Sequence, residues 1–592
     1  MTKNASMIEK LFFKLLPVQV MIIAMGSINS IVDGAVAGRF IDAATVGVIG
    51  LFSSAIGVIN ALSSVLLGGS AVLCGRYMGR GDIEKTQGVF SLNLTVTSML
   101  GFVMTASGLL FPGVIADICG ADEALRGSLV LYVRGFAIGI LPMMLVQQLA
   151  AFLQMERQSR RNYAGIAAMI VFNVTLDILF VSVMKMGVFG LALSTALCNW
   201  IYLIILLPYY LTKKAQLKYD PKSVVWKELP QIVKIGFPGA LLVLCLSFRG
   251  LVQNRIILRW AGQDGMSAKG SLEMVSGLFI AFCLGGGATV RMLASVFVGE
   301  EDRDAIRELI RISLTKLMLL TLVITALVIT FSGEVASIFF ADRTSVVFRY
   351  TKQFFMIFGA SIPLILLVQV QTNYLQAGGH HVCVDISSVI DGFFSVVIPS
   401  LILTPVLGAL GVWLSTPIGI VITSLIYPVY ACIYHRHVPR NTDEWLLFRP
   451  DFGVPSEDRL VLKIRSIADV TRTSEQVQAF CLSRGFGKRT AYYSALCLEE
   501  MAGNVVEHGF IKDRKMHDAD ARVIIKDGRV LLRIKDDCVP FDPLERSKQM
   551  NPSDLSKNIG IRLVVKISDE AVYQNLLGLN VFTIRLNDRS MS

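Results

Sequence analysis

The chain has 592 residues, of which 53% are hydrophobic and only 17% are charged, and its formal net charge is +11. A soluble domain carries about 25% charged residues, so this composition excludes an ordinary soluble protein and indicates a membrane protein. The excess of Lys and Arg does not indicate a nucleic acid partner, because the basic residues of a multispan protein collect in its cytoplasmic loops. The ten Cys residues include no C-x-x-C pair, so neither a metal cluster nor a disulfide framework is predicted.

Apolar runs of about 20 residues, the length that a helix needs to cross hydrocarbon, recur along most of the chain. They predict an all-α polytopic membrane protein with twelve spans in two six-helix lobes. The spans lie at about 12–36, 46–74, 88–112, 128–153, 163–184, 189–211, 233–260, 270–297, 312–332, 352–376, 384–404 and 409–433.

Basic residues follow the even-numbered spans, as at Arg76, Arg80, Arg303 and Arg307. The positive-inside rule therefore predicts a multi-pass protein of the cell membrane, in a bacterium the inner membrane, with both termini in the cytoplasm.

The two halves of the chain repeat one another. The stretch Gly187–Thr195 (GVFGLALST) recurs 221 residues later as Gly408–Thr416 (GALGVWLST). The same offset separates two pairs of prolines, Pro17 from Pro238 and Pro142 from Pro363. Because each half holds an even number of spans, the lobes insert the same way up, with a pseudo-twofold axis along the membrane normal and a cavity between them.

Several polar residues interrupt the apolar spans of the first lobe. Asn173 and Asp177 are four residues apart and share one helix face, while Asp33 and Thr195 lie on other spans. A carboxylate inside a membrane costs a few kcal/mol or more, so it usually faces a cavity and has a function, although Asp177 could also serve only as a helix cap or a packing contact. The acids do not recur in the second half, since Asp33 and Asp177 map to Asn254 and Ile398. This asymmetry favours a site for a cation or a proton in the first lobe.

The second lobe has intramembrane charges of its own, at Arg249, Arg255, Glu273, Arg291, Asp385 and Asp391. Some of them are expected to pair with one another, which lowers the cost of burial. Asp391 is the best candidate for an acid that faces the substrate cavity.

These features resemble the multidrug and toxic compound extrusion (MATE) transporters over about Leu11–Arg436. The resemblance is carried by Ile31–Gly34 (IVDG), Asn173–Asp177 (NVTLD), Gly236–Pro238 (GFP) and the repeated G-x-x-G-x-x-L-S-T stretches. It implies an antiporter that exchanges a cytoplasmic drug-like cation for Na⁺ or H⁺. It also implies that Asp33, Asn173, Asp177 and Thr195 form the site of the coupling ion.

The composition changes after about His435, where long apolar runs end and charge becomes dense. We predict a linker at 439–458, followed at 459–592 by an α+β sandwich domain of about the size of one small domain. Its strands are expected at Leu460–Ile464, at Arg522–Lys526 with Val530–Lys535 across an Asp-Gly turn, and at Leu579–Leu586. The helical spacing of residues predicts two helices, at Val470–Leu482 and at Lys488–His508.

Three places in this C-terminal domain carry candidate chemistry. Glu500, Asn504 and His508 share one helix face, and an Asn oxygen suits Mg²⁺ while a Glu can act as a base. An acidic turn begins at Asp536, and Asn558-Ile559-Gly560 enters a helical pattern whose backbone N–H groups suit phosphate. Each of these signals is weak when it is taken alone.

Together, their order resembles the GHKL ATPase fold, in particular the anti-sigma-factor serine kinase branch. The resemblance implies ATP and Mg²⁺ as cofactors, with Asn504 as the Mg²⁺ ligand, Asp536 as the acceptor for the adenine amino group and Gly560 in the phosphate lid. Glu500 would be the catalytic base if the domain is an active kinase. The chain departs from the pattern at Cys538, where a Gly is usual, and in its short lid.

The leading interpretation is therefore a cation-coupled antiporter that exports drug-like or cationic compounds by alternating access, with a cytoplasmic ATP-binding regulatory domain. One alternative is a lipid-intermediate flippase of the same superfamily, and another is a membrane-anchored serine/threonine protein kinase with a transporter-like sensor. We expect the bilayer, an amphipathic cation and a regulatory protein as partners, and no nucleic acid. The predicted domains are the two lobes at 1–222 and 223–438, the linker and the C-terminal domain.

Overall fold

A computed structural model describes residues 7–41, 43–120, 123–156, 158–212, 215–340, 342–512, 517–548 and 559–588 of the chain. Within these residues, 11 helices are long and apolar enough to cross a membrane. A helix pair, Leu125–Ala137 with Ile140–Met155, is bent by 46° and supplies one further span. The prediction of twelve spans is confirmed, with the fourth of them broken in the middle.

The first lobe contains α1 (Met7–Phe40), α2 (Ala43–Arg80), α3 (Ile83–Leu110), α4 (Pro112–Ile118), α5 (Glu123–Ala137), α6 (Ile140–Met155), α7 (Ser159–Asp177) and α8 (Gly187–Tyr210). The second lobe contains α9 (Leu229–Gly299), α10 (Arg303–Ile312), α11 (Met318–Thr330), α12 (Ser332–Phe339), α13 (Val346–Gly378), α14 (His381–Val389), α15 (Ser395–Leu407), α16 (Ala409–Ser424) and α17 (Ile426–His435). Three π-helical turns lie among these helices, at Ile178–Val183, Ser313–Leu317 and Ile390–Phe394.

The seventh and eighth spans lie within α9, which consists of two helices that meet at Gly262, where φ is +61°. The sequence predicted the break between these two spans at about 261–269, and Gly262 lies within that interval. Lys269 donates a hydrogen bond to Asn254 Oδ1 at 2.5 Å, although the two residues are 15 apart in sequence. A straight helix would separate them by about 22 Å, so the chain reverses its direction at Gly262.

The repeated G-x-x-G stretches have the same backbone role in both lobes. Gly187 and Gly408 begin the last main helix of their lobes with φ +56° and +58°. This left-handed region strains any residue with a Cβ, which explains why glycine stands at both positions. The equivalent conformations support the internal duplication that the sequence indicates.

The two lobes contact each other closely at the end of the membrane domain that carries the C-terminal domain. A Cβ built on Gly69 of α2 would lie 2.0 Å from the Ile232 carbonyl oxygen of α9, and one on Gly236 would lie 1.9 Å from the Val65 oxygen. Nearer the middle of α2, no atom of the described residues outside the helix's own backbone lies within 4 Å of a Cβ built on Gly57. The lobes therefore touch through bare backbone at Gly69 and Gly236, as in small-residue helix packing within membranes.

Gly69→Ala should therefore separate the lobes at this contact, because the new methyl group would overlap the α9 backbone. A cysteine introduced at Ser64, beside Gly239 in the same seam, should then react severalfold faster with a membrane-impermeant maleimide added from the side of the C-terminal domain. Gly57→Ala is the matched control, since it makes the same change in helix propensity on the same helix. Equal reaction rates in the two variants would show that the contact does not close the lobes.

The C-terminal domain begins after the short helix α18 (Thr442–Trp445) and has two layers. Its strands are β1 (Arg459–Ile464), β2 (Ala519–Lys526), β3 (Arg529–Asp536), β4 (Glu570–Leu576) and β5 (Leu579–Asn587), and its helices are α19 (Ile467–Ser483), α20 (Lys488–Asn504), α21 (Pro543–Lys548) and α22 (Ile559–Ile567). The sheet is antiparallel with the order β1-β2-β3-β5-β4. The α+β prediction is confirmed. Strand β4, which pairs with β5 across Leu577-Gly578, was not predicted.

Alternate residues of each strand face opposite sides of this sheet. On one side, Val523, Leu532, Ile534 and Ile584 form a core with α19, α20 and α22. On the other side, Leu579 and Val581 belong to the same hydrophobic cluster as the membrane helices. The sheet thus lies between its own helices and the transmembrane domain.

The predicted linker is packed against the second lobe. Asp443 pairs with Arg307 at 2.5 Å and with Arg303 at 3.4 Å, both on α10. Tyr374 of α13 donates a hydrogen bond to the Leu446 carbonyl oxygen at 2.5 Å. The segment therefore holds the C-terminal domain in place, and the sequence analysis had treated it as a polar connection only.

Candidate functional sites

The structure brings the four predicted ion-site residues of the first lobe together from three helices. Asn173 of α7 donates a hydrogen bond to Asp33 Oδ1 of α1 at 3.3 Å, and Thr195 of α8 donates to Asp33 Oδ2 at 3.2 Å. Asp33 and Asp177 are close enough for their carboxyl groups to share a hydrogen bond. All four side chains are buried, so the polar atoms face one another inside the lobe.

One further member of this cluster is Ser194, which the sequence analysis named only as part of the repeated stretch. Its hydroxyl donates a hydrogen bond to Asp177 Oδ1. Ser194 could have been identified from the sequence, because it is adjacent to Thr195 on a span that was predicted to face the acids. Asp177 also ends α7 immediately before a π-helical turn, a local distortion that is frequent at functional sites.

The cluster leaves acceptor oxygens without partners. Asp177 Oδ2 and Asn173 Oδ1 are buried and have no hydrogen-bond partner among the described residues. A buried acceptor without a donor costs about 1–3 kcal/mol, more when it is charged. Oxygen atoms from carboxylates, an amide and a hydroxyl are the ligands that a hard cation prefers, and the carboxyl pair is equally suited to hold a proton.

The second lobe does not repeat this cluster. Asn254, the counterpart of Asp33, accepts a hydrogen bond from Lys269 at 2.5 Å, and Phe394 and Ile398 stand at the positions of Asn173 and Asp177. A cavity of about 450 Å³ next to Phe394 is lined mainly by apolar side chains.

Asp391, the predicted substrate-cavity acid, lies on the π-helical turn of the second lobe. Its carboxylate accepts a hydrogen bond from Thr423 at 3.3 Å, and its carbonyl oxygen accepts one from Arg249 at 3.1 Å. These contacts join α9, the turn and α16, so Asp391 has partners within its own lobe.

The C-terminal domain contains a cavity of about 380 Å³ between α20 and the sheet. Asn504 and Asp536, two of the predicted nucleotide-binding residues, both line it. Most of its wall is apolar, from residues such as Met501, Ile561 and Phe582. An apolar slot with one buried acid suits a flat heteroaromatic ring that carries an amino group.

Asp536 is held in place at the end of β3. Its Oδ1 accepts hydrogen bonds from the Cys538 N–H at 3.0 Å and from Asn580 Nδ2 at 2.7 Å. Burial raises the pKa of the Asp536 carboxyl, and these hydrogen bonds oppose the shift. Asn580 could not be identified from the sequence, because a single Asn at the start of a strand has no distinctive spacing.

Asn504 ends α20 and donates its side-chain N–H to the Glu500 carbonyl oxygen at 2.7 Å, which leaves the amide oxygen as its ligand atom. Glu500 is not among the residues that line the cavity. Its Oε2 instead lies 1.9 Å from a Cβ built on Gly560, so the Glu500 side chain points towards the start of α22. Asn558 lies outside the described residues.

The residues present therefore fit an adenine nucleotide. The cavity is about the size of a small ligand, Asp536 offers an acceptor, Asn504 offers an oxygen ligand, and the N-terminus of α22 begins beside them. Helix N-termini bind phosphate through free backbone N–H groups and the helix dipole.

Comparisons with known proteins agree with this division of the chain. The MatE family profile matches residues 17–179 and again 238–398, together more than half of the chain. The two matches begin 221 residues apart, the offset that separates Pro17 from Pro238. A profile described as histidine kinase-like ATPase domain matches residues 465–585.

Related proteins and structures are similar over the membrane domain. The probable multidrug resistance protein YoeA of Bacillus subtilis is 20% identical over 423 residues, which are 69% of this chain and 90% of that protein. The multidrug export protein MepA of Staphylococcus saprophyticus is 24% identical over 332 residues, 54% of this chain and 72% of that protein. A MATE transporter crystallised with MaL6 shares the fold with a TM-score of 0.67 at 18% identity, covering 72% of this chain and 97% of that one. An outward-facing MATE family transporter does so with a TM-score of 0.66 at 18% identity, covering 70% and 93%.

Proposed function

Since this chain belongs to the MATE family of multidrug efflux transporters, we propose that it exports drug-like organic cations from the cytoplasm in exchange for Na⁺ or H⁺. The observation that carries the proposal is the buried cluster of Asp33, Asn173, Asp177 and Thr195. Two acids at hydrogen-bond distance within a membrane need a proton or a metal cation between them, because two bare carboxylates repel each other strongly where the dielectric is low.

Loading and unloading of this site would change which packing of the lobes is more stable. A cation or proton that binds one packing better than the other shifts the equilibrium by its difference in affinity. Rocking of the two lobes then exposes the cavity between them alternately to the two sides of the membrane.

Drug efflux into inverted membrane vesicles tests the coupling. Vesicles that carry the protein should accumulate a fluorescent organic cation while an ion gradient is maintained. Collapsing the Na⁺ gradient and the proton gradient separately should stop uptake in one case only, which identifies the coupling ion. Uptake that continues unchanged after both gradients are collapsed would exclude an ion-coupled antiporter.

For the C-terminal domain we propose binding of Mg²⁺ and ATP and a regulatory role towards the transporter. Asp536 would accept the adenine amino group, Asn504 would hold Mg²⁺ and the N-terminus of α22 at Gly560 would face the phosphates. Bound Mg²⁺ would neutralise phosphate charge, and the chain's own groups orient the nucleotide. A role for Glu500 as catalytic base needs its side chain to turn towards the cavity.

The contacts of this domain with both lobes favour regulation over an independent kinase. We also place both termini in the cytoplasm, because the contacted loops are those that carry the basic residues. The same contacts support boundaries of 1–222 and 223–438 for the lobes, 439–458 for the linker and 459–592 for the ATPase-like domain.

A further inference from the structure

The outer face of the five-stranded sheet contacts loops of both lobes. We call this the docking face and define it by Arg522 and Lys526 of β2, Arg533 and Lys535 of β3, Val581 and Arg585 of β5. In a domain of two layers this side of the sheet is ordinarily free to meet solvent. Here Arg522 and Arg533 are among the buried charged residues, which indicates a specific partner surface.

The second lobe presents an acidic loop to the docking face, at Glu300–Asp302 after α9. Asp302 pairs with Arg522, and Glu300 pairs with Lys535 at 2.5 Å. The Glu300 side chain is only 1% exposed, so this is an ion pair shielded from water. Burial acts to raise the pKa of Asp302, but Arg522 and the neighbouring cations outweigh it and the pKa is lowered, so the acid is charged at neutral pH.

The first lobe contacts the same domain through backbone carbonyl groups. Arg533 donates a hydrogen bond to the Gly79 oxygen at 3.4 Å, and Arg585 donates to the Arg80 oxygen at 3.4 Å, both at the end of α2. The Leu577 N–H donates to the Met155 oxygen of α6 at 2.9 Å. One rigid sheet is thus bound to both lobes.

These loops lie where the lobes touch each other. A Cβ built on Gly79 of α2 would lie 2.1 Å from the Val296 oxygen of α9, and one on Gly299 would lie 2.2 Å from the Arg76 oxygen. Arg76 also donates a hydrogen bond to the Ala377 oxygen of the second lobe at 2.6 Å. An opening of the cavity towards the cytoplasm must separate the ends of α2 and α9.

We propose that the docked ATPase-like domain is a latch that holds the cytoplasmic mouth of the transporter closed, and that transport requires its release from at least one lobe. The inference rests on the proposed transport function, because it concerns the step in which the lobes separate. Its physical basis is that a single sheet cannot keep its contacts with Glu300–Asp302 and with Gly79–Arg80 while α2 and α9 move apart. In the docked state, substitution of one member of a buried ion pair leaves the other charge buried without compensation, so removal of cations from the docking face should favour release.

Distances between spin labels test the latch in the purified full-length chain in lipid nanodiscs. Labels at Lys85→Cys in the first lobe and Arg311→Cys in the second lobe report the width of the mouth, after Cys119, Cys245 and Cys432, which are partly exposed, are replaced by Ser. The undocked variant is Arg522→Gln with Lys535→Gln. The matched control is Lys488→Gln with Lys566→Gln, which removes two exposed cations from the helical layer.

We expect the undocked variant to show faster deuterium uptake at Glu300–Asp302 and a share of wide-mouth molecules that rises on the order of tenfold, while the control matches the parent chain. Lys526→Glu, which faces Glu301 at the exposed edge, should give a smaller change in the same direction without altering a buried residue. Faster deuterium uptake with an unchanged distribution of spin-label distances would overturn the latch. Unchanged deuterium uptake in both the undocked variant and Lys526→Glu would also overturn it, because the ion pairs then do not hold the domain.

These measurements need no substrate and no ion gradient. If the protein does not export organic cations but its cytoplasmic mouth widens when the domain is undocked, the proposed function is contradicted and the latch proposal is retained. A protein that exports cations at the same rate with its domain docked or released would keep the proposed function and contradict the latch.

Discussion

Replacing Asp33 or Asp177 with Asn should reduce drug efflux by about 10- to 100-fold or more, because loss of even an outer partner of an ion site has an effect of this size. Asn is close to Asp in shape but cannot hold a proton or a cation by charge. The substitution removes a buried charge, so insertion and folding should be retained. The measurement is the efflux rate of a fluorescent cation in cells that express equal amounts of each variant.

Asp117→Asn is the matched control for this experiment. It makes the same chemical change at an exposed carboxylate, which pairs with Arg126 outside the ion cluster. Its efflux rate should equal that of the parent chain. Full efflux by both Asp33→Asn and Asp177→Asn would show that the cluster has only a structural role.

Asp536→Asn should weaken ATP binding by about 10- to 100-fold, which corresponds to the loss of one buried hydrogen bond. The Asn oxygen can still accept from Cys538 and Asn580, while its NH₂ group would face the adenine amino group, donor against donor. The change should be measured by isothermal titration of Mg²⁺ and ATP into the full-length chain. Asp527→Asn, in the β2–β3 turn, is the control that should bind normally.

The raised pKa of Asp536 gives this prediction a pH dependence. Since folding favours its protonated form, this group contributes most to stability below its unfolded pKa, and the contribution is lost as pH rises through the raised folded pKa. ATP binding by the parent chain should therefore weaken as pH falls towards that pKa. Asp536→Asn imitates the protonated form, so its melting temperature at neutral pH should equal or exceed that of the parent chain. A lower melting temperature would attribute the binding loss to misfolding.

The membrane fold could be predicted from the sequence because each span needs its own run of apolar residues. The break between α5 and α6 could not, since both halves of that span are apolar and a bend adds no polar signal. The position of the break between the seventh and eighth spans could be predicted, because polar residues such as Gln263 and Asp264 follow Gly262, but the sharpness of the turn could not. Length and hydropathy thus fix the number of spans better than their shape.

The ion site and the docking face differed in how far they could be predicted from the sequence. Acids within apolar spans are rare, so Asp33 and Asp177 could be identified one at a time, and the structure places them together. The docking face could not be recognised, because Glu300 and Lys535 are more than 200 residues apart and each looks like an ordinary surface charge. Pairing between distant polar residues leaves no periodic pattern in one sequence.

Strand β3 separates two sites by the thickness of a single peptide backbone. Ile534 and Asp536 face the cavity of the C-terminal domain, while Arg533 and Lys535 face the loops of the transporter. Any shift of this strand along its own direction is shared by both faces, since odd and even positions belong to the same chain. A residue-by-residue substitution scan of the strand would consequently sort into two interleaved classes, one defective in ligand affinity and the other in the position of the domain on the membrane.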